Sequence, residues 1–178
     1  MKHFISRRNF LKAAGVTAAA SAMAAAVPQA SACFLTGKDA AVTILYTNDV
    51  HTYIDNKSPK LTYAAIAAMK QGYVDEGKPV LLVDAGDHIQ GTAYGSMDDG
   101  ATIIELMNEA GYDLATPGNH EFDYGMARAK AVLREADFPY VSCNWVDLRT
   151  GFNVLPSVKF FFVGGRKIAF VGVTTPET

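Results

Sequence analysis

Three short stretches hold the residues whose types could do chemistry. They are Asp49-x-His51 in "TNDVH", Gly86-Asp87 in "DAGDHIQG", and Gly118-Asn119-His120-Glu121 with Asp123 in "PGNHEFDYG". Carboxylate, imidazole and amide groups brought together are ligands for divalent cations, with Mn, Zn, Co, Fe and Mg all compatible. Singly, each stretch is ordinary. Asp-x-His can cap a strand end, Gly-Asp is a common turn dipeptide, and Asn-His sits in many solvated loops. Their weight comes from a shared position, because each stretch follows directly on an apolar run.

Those runs are the elements that must position the polar residues. Val42–Tyr46 is β-branched and aromatic and is stopped by Asn48-Asp49, while Val80–Val83 is continuously apolar and runs into Asp84-Ala85-Gly86-Asp87. "YDLATPGNHEFDYG" reads as a short strand and loop, and "PYVSCN" as a further strand. Between them lie helical patterns: "KLTYAAIAAMKQGY" with Gly72 as its expected C-cap, "DGATIIELMNEAG" closed by Gly111, and "MARAKAVLREAD". Solid apolar strands alternating with helices predict an α/β fold, a largely parallel sheet covered by helices. "VKFFFVGGRKIAFVGV" predicts a C-terminal β-hairpin about Gly164-Gly165. In such a sheet the loops at the carboxyl ends of the strands meet along one edge, where ligands bind. The three stretches are therefore expected to converge.

The N-terminus belongs to a different element. "SRRNFLK" is followed by the alanine-rich, charge-free run Ala13–Val27 and by "PQASAC", which together form a cleavable export signal with the paired Arg7-Arg8 of the twin-arginine route. Residues 1–32 read as this signal peptide and 33–41 as a linker, with cleavage expected after Ala32. The run is shorter than the ~20 apolar residues of a membrane span. Ala-Ser-Ala-Cys is close to a lipid-attachment sequence, which makes Cys33 a candidate for lipidation. Localisation is therefore expected in the periplasm, at the cell surface or outside the cell, with the twin-arginine translocase as a partner during export.

Of the 16 Lys+Arg, four (Lys2, Arg7, Arg8, Lys12) leave with the signal, so 12 remain against 18 Asp+Glu, a formal charge of −6. That balance argues against a nucleic-acid polymer as partner. Two cysteines, Cys33 and Cys143, make no disulfide framework.

Together the motifs resemble the three leading motifs of the calcineurin-like metallophosphoesterases. Their spelling is similar to the 5′-nucleotidase branch, which includes secreted UDP-sugar hydrolases and 2′,3′-cyclic-nucleotide phosphodiesterases, and "VGVTTPET" is similar to that branch as well. The resemblance spans roughly residues 42–178. It implies half of a four-layer α/β/β/α metallophosphatase sandwich and a site for two divalent metal ions. Asp49 and His51 would hold the first ion, Asp87 would bridge both, and Asn119 would hold the second and face the substrate. His120 would sit beside the phosphate as hydrogen-bond donor or acid, with Asp123 orienting it and holding it charged. Glu121 would turn away and support the loop. His88, at a position the family pattern leaves variable, would lie behind the ligands, be exposed or itself ligate a metal, and Gln90 would contact loop backbone or substrate. Asn144 would either reach the same edge or cap a strand end.

The only histidines are His3, His51, His88 and His120. The resemblance implies more of them downstream, in Gly-His and Gly-His-x-His motifs, together with a C-terminal domain that holds a nucleobase. Residues 42–178 are therefore expected to be the N-terminal part of a truncated catalytic domain, with an incomplete second metal site. The expected function is that of a secreted, dinuclear-metal-dependent phosphoester hydrolase of the 5′-nucleotidase type, inactive as a fragment. Its substrate would be a nucleotide or small phosphate ester. The alternatives are a thiosulfohydrolase of the sulfur-oxidation system on the same scaffold, or a non-catalytic exported remnant.

Overall fold

The computed structural model describes residues 41–54 and 62–175. The signal peptide, its cleavage region, Cys33 and all of the linker but residue 41 lie outside the described residues.

Strand β1 (Thr43–Thr47) pairs in parallel with β2 (Val80–Asp84), from Thr43↔Val80 to Thr47↔Asp84. Beside β2 lies the short β3 (Leu114–Ala115), also parallel, giving the order β1-β2-β3. A single parallel bridge from Ala115 to Tyr140 extends the sheet. The predicted strand "PYVSCN" is therefore only this bridge with flanking bonds, Ala115 N–H to Pro139 O at 3.1 Å and Val141 N–H to Ala115 O at 3.0 Å.

Helices α1 (Tyr63–Asp75), α2 (Ala93–Ser96), α3 (Ala101–Ala110) and α4 (Met126–Val132) fill the connections. Helix α1 starts at Thr62, whose side chain accepts from Ala65 N–H. It runs through Gly72, contrary to the expected cap. Gly77, at φ 68°, ends it instead, with Gly77 N–H to Val74 O and Lys78 N–H to Tyr73 O both at 2.9 Å. This pair of bonds takes up the last carbonyls of the helix. Helix α3 ends at Gly111 as expected. Helix α4 is shorter than "MARAKAVLREAD" predicts. Arg134 and Glu135 bond three residues back, and Asn108 pins the tail through Glu135 O and Asp137 N–H.

The core follows from the apolar runs. Leu82 of β2, Ile103, Ile104 and Met107 of α3, and Val132 of α4 are buried with Ile66, Phe138 and Trp145. Each such side chain stabilises by about 1.5–3 kcal/mol on burial. Strand β2 is buried on both faces except at Val83, whereas β1 alternates and leaves Ile44 and Tyr46 exposed.

After the sheet come a small ribbon, β4 (Val146–Asp147) with β5 (Phe152–Asn153), and the antiparallel hairpin β6 (Val158–Val163) with β7 (Arg166–Val171). The hairpin turns at Gly164-Gly165, as predicted. The architecture is thus an α/β fold with a parallel first sheet and a C-terminal antiparallel hairpin.

Candidate metal centre

The three motif loops do converge at the carboxyl edge of the sheet. The pairing of β1 with β2 continues past the strands, with Asp49 N–H to Gly86 O at 3.1 Å and His51 N–H to Asp87 O at 2.9 Å. To make these turns Asp49, His51 and Asp87 all adopt left-handed φ values of 53°, 47° and 60°. Non-glycine residues rarely hold that conformation, which costs about 1–3 kcal/mol each unless surrounding structure enforces it. The third loop meets the second with almost no space between them. A Cβ on Gly86 would stand 2.4 Å from Gly118 N, and one on Gly118 would stand 2.3 Å from Asp87 Oδ1. Glycine at both positions permits that approach.

His51, Asp87 and His120 each offer a ligand atom, and these atoms lie within 4.8 Å of one another. The His51 and His120 rings meet edge to face at 4.9 Å. His51 Nδ1 donates to the backbone carbonyl of Gln90 at 3.1 Å, which leaves Nε2 as the basic nitrogen. That Nε2 faces Asp49 Oδ1 at 3.6 Å, and Asn48 Nδ2 donates to the other carboxylate oxygen of Asp49. Gln90 therefore acts here through its backbone. Burial pushes the Asp87 carboxyl above its ordinary range; Glu121 and a contact with the Asp49 carboxyl add to this, against the His120 N–H bond. The Asp87 carboxylate and the His51 and His120 imidazoles, all half-buried, make a donor set that fits a divalent cation, while Asp49 stands exposed at its rim and outside that group.

His120 is fixed twice. Its backbone N–H donates to Asp87 Oδ1 at 2.8 Å, and its Nδ1 donates to Asp123 Oδ2 at 2.7 Å. The Asp123 bond raises the His120 pKa, favouring the imidazolium. Asn119 begins the 3-10 turn His120–Phe122, its carbonyl accepting from Phe122 N–H. Asn144 is tied elsewhere. It exchanges two bonds with the Thr174 backbone, at 2.6 and 2.9 Å, so it fastens the segment that follows β7 and does not reach the cluster.

Glu121 and His88 lie underneath, both completely buried. Glu121 supports the loop by pointing inward. His88 is not exposed: Nδ1 donates to Asp84 Oδ1 at 2.7 Å, and Nε2 meets the Tyr140 hydroxyl at 2.8 Å. Burial disfavours its charged form, but Glu121 and Asp84 outweigh that and raise its pKa to about 9. Asp84 also accepts from Gly86 N–H at 2.8 Å and from the Thr47 hydroxyl at 2.5 Å. Glu121 supports the loop as expected, whereas the roles of Asp84 and Tyr140 in this layer were not legible in the sequence. Asp84 was visible in "DAGD" but read as a strand end, and Tyr140 gave no signal at all.

Residues 42–176 match the calcineurin-like phosphoesterase family, and residues 5–27 match the twin-arginine translocation signal. The chain is thus directed across the membrane by the twin-arginine translocase. Among the described residues no helix is long and apolar enough to cross a membrane. A snake venom 5′-nucleotidase of Gloydius brevicauda is 35% identical over 155 residues, 77% of this chain and 26% of its own length. Among solved structures, the NAD nucleotidase of Haemophilus influenzae superposes with a TM-score of 0.67 at 27% identity, over 76% of this chain and 26% of that one. The sulfate thiohydrolase SoxB of Thermus thermophilus shares the fold, with a TM-score of 0.66 at 18% identity over 81% of this chain and 37% of that one. The chain spans about a quarter of the length of the curated relatives it matches. With its motifs, sheet and convergent loops in agreement, the chain belongs to the calcineurin-like phosphoesterase family.

Proposed function

We propose that residues 42–178, released from a signal peptide ending at Ala32, supply catalytic machinery for hydrolysing phosphoesters outside the cytoplasm, with nucleoside 5′-phosphates as the substrate class. The observation that carries this reading is the His120–Asp123 pair held directly against Asp87. It sets an acid beside a cluster suited to cations. Asp49 and His51 would hold one divalent cation, Asp87 would serve two, and Asn119 would hold the second through its amide oxygen. Bound there, such cations neutralise the anionic ester and lower the pKa of a water.

The chain's own residues supply the rest. Gln90 holds the His51 tautomer that leaves Nε2 free. Asp123 keeps His120 protonated at Nδ1 and favours its charged form. The Nε2–H of His120 can then donate to a phosphate oxygen as charge develops, or pass its proton to the departing alkoxide. The net negative charge of the exported chain is no obstacle, since the cations reverse the sign of the field at the site.

Of the four histidines, none is left to ligate a second cation beside Asn119. We therefore expect this chain by itself to hold one cation well, the second weakly, and to hydrolyse AMP slowly. Titration with Mn²⁺ by calorimetry is expected to show binding that Asp87→Asn reduces at least tenfold. Absence of binding in the unaltered chain would favour an exported remnant without catalysis. AMP turnover at the rate of an ordinary nucleotidase would overturn the expectation of an incomplete second site. The fold shared with a sulfate thiohydrolase supports a second reading, action on a thiosulfonate. Parallel assays on AMP and on a protein-bound thiosulfonate separate the two.

A further inference from the structure

We propose that Glu121 is a positioning residue that sets the gap between Asp87 and Asn119, and so the affinity of the site for cations. The inference rests on the cation-binding reading above and deepens it. Glu121 Oε2 accepts from Asp87 N–H at 2.8 Å and from Gly118 N–H at 2.6 Å. Its Oε1 accepts from His88 N–H at 2.8 Å and from Ile89 N–H at 3.3 Å. One carboxylate thus grips both ligand-bearing loops, and a single oxygen spans the place where they meet.

The chemistry of the partners explains the residue type. All four are donors, so the group between them must offer acceptors on both sides, which a carboxylate does and an amide does not. The consecutive N–H groups of Gly86, Asp87, His88 and Ile89 are all taken up in this way, the first by Asp84 and the other three by Glu121. This holds Asp87 in its left-handed conformation, from which its carboxylate reaches His120 N–H and the cation cluster. A buried carboxylate needs a counter-charge. His88 Nδ1 stands 3.5 Å from Glu121 Oε1 while bonded to Asp84, so one imidazole serves both acids.

A purely structural carboxylate would stabilise the fold without tuning the site, and the test separates the two. Glu121→Gln is compared with Met107→Ala, a cavity in buried α3 that involves none of these loops. Mn²⁺ affinity is read by calorimetry, and folding by circular dichroism and urea titration. Glu121→Gln is expected to bind Mn²⁺ at least tenfold more weakly while folded, and Met107→Ala to bind as the unaltered chain does despite its lost stability. Should Glu121→Gln fail to fold, Glu121→Asp carries the same expectation, because it keeps the charge but is one methylene too short to span both loops. Affinity within twofold of the unaltered chain, or equal losses in the Glu121 and Met107 variants, would overturn the proposal. If Asp87→Asn abolishes binding and the Glu121 variants do not weaken it, the positioning role alone fails. If the unaltered chain binds no Mn²⁺, both readings fail together.

Discussion

At the carboxyl edge of the sheet Asp84, His88 and Glu121 are buried, and each makes at least two polar contacts inside the protein. On the hairpin β6–β7 the arrangement is reversed, with Phe160 and Phe162 exposed by 46% and 76%. The Lys167 ammonium lies 4.2 Å from the Phe160 ring centroid and 5.8 Å from that of Phe162, which covers some of this apolar surface without burying it. One region places charge inside and holds polar loops rigid above it. The other places aromatic surface outside, and β1 likewise leaves Ile44 and Tyr46 exposed. The contrast shows that shape at the candidate site comes from hydrogen bonding to buried acids, and far less from apolar packing. The hairpin owes its order to its own ladder of pairs from Val158↔Val171 to Val163↔Arg166.

The largest expected effect breaks the buried edge. Glu121→Ala leaves four N–H groups without acceptors and His88 without one of its counter-charges, a loss of about 3–5 kcal/mol in urea unfolding. Gly86→Ala acts on the same edge through space and conformation. With φ at 106° and the new Cβ 2.4 Å from Gly118 N, it should cost ~2–4 kcal/mol and abolish Mn²⁺ binding.

Next in size is a pH effect confined to the buried layer. The folded His88 pKa of about 9 lies above its ordinary 6.5, so its charge stabilises the fold fully below pH 6.5. That contribution declines as pH rises and is gone above about 9, a change of a few kcal/mol at most. Urea midpoints followed through the fluorescence of Trp145, the single tryptophan, should fall across that window. His88→Gln should flatten the dependence. The smallest effect is expected on the open face, where Phe162→Ser should change stability by less than ~0.5 kcal/mol while lowering self-association in light scattering. A stability loss there as large as at Glu121 would erase the contrast between the two regions.

Much of the fold was legible because its signals are local. The apolar runs of β1 and β2, the start of α3 and its stop at Gly111, and the Gly164-Gly165 turn all depend on neighbours within a few residues. The convergence of the Asp49, Asp87 and Asn119 loops also followed, since parallel strands bring their carboxyl ends to one edge. Where local signals competed, the reading slipped. Gly72 looked like a cap, but α1 runs three residues further, to Asp75, before Gly77 terminates it, and α4 lost its last turn to Asn108, a residue of another helix.

Sequence alone thus determined the alternation of the main strands and helices, but not the short helix Ala93–Ser96 or the ribbon β4–β5, and it determined the export signal and the identity of the polar residues at the edge. Tertiary structure alone decided what lies beneath them. Whether His88 is exposed or buried depends on Tyr140, 52 residues away, and the grip of Glu121 depends on Asp87, 34 residues away. Burial and hydrogen-bond satisfaction are properties of packed neighbours, and no spacing along the chain encodes them.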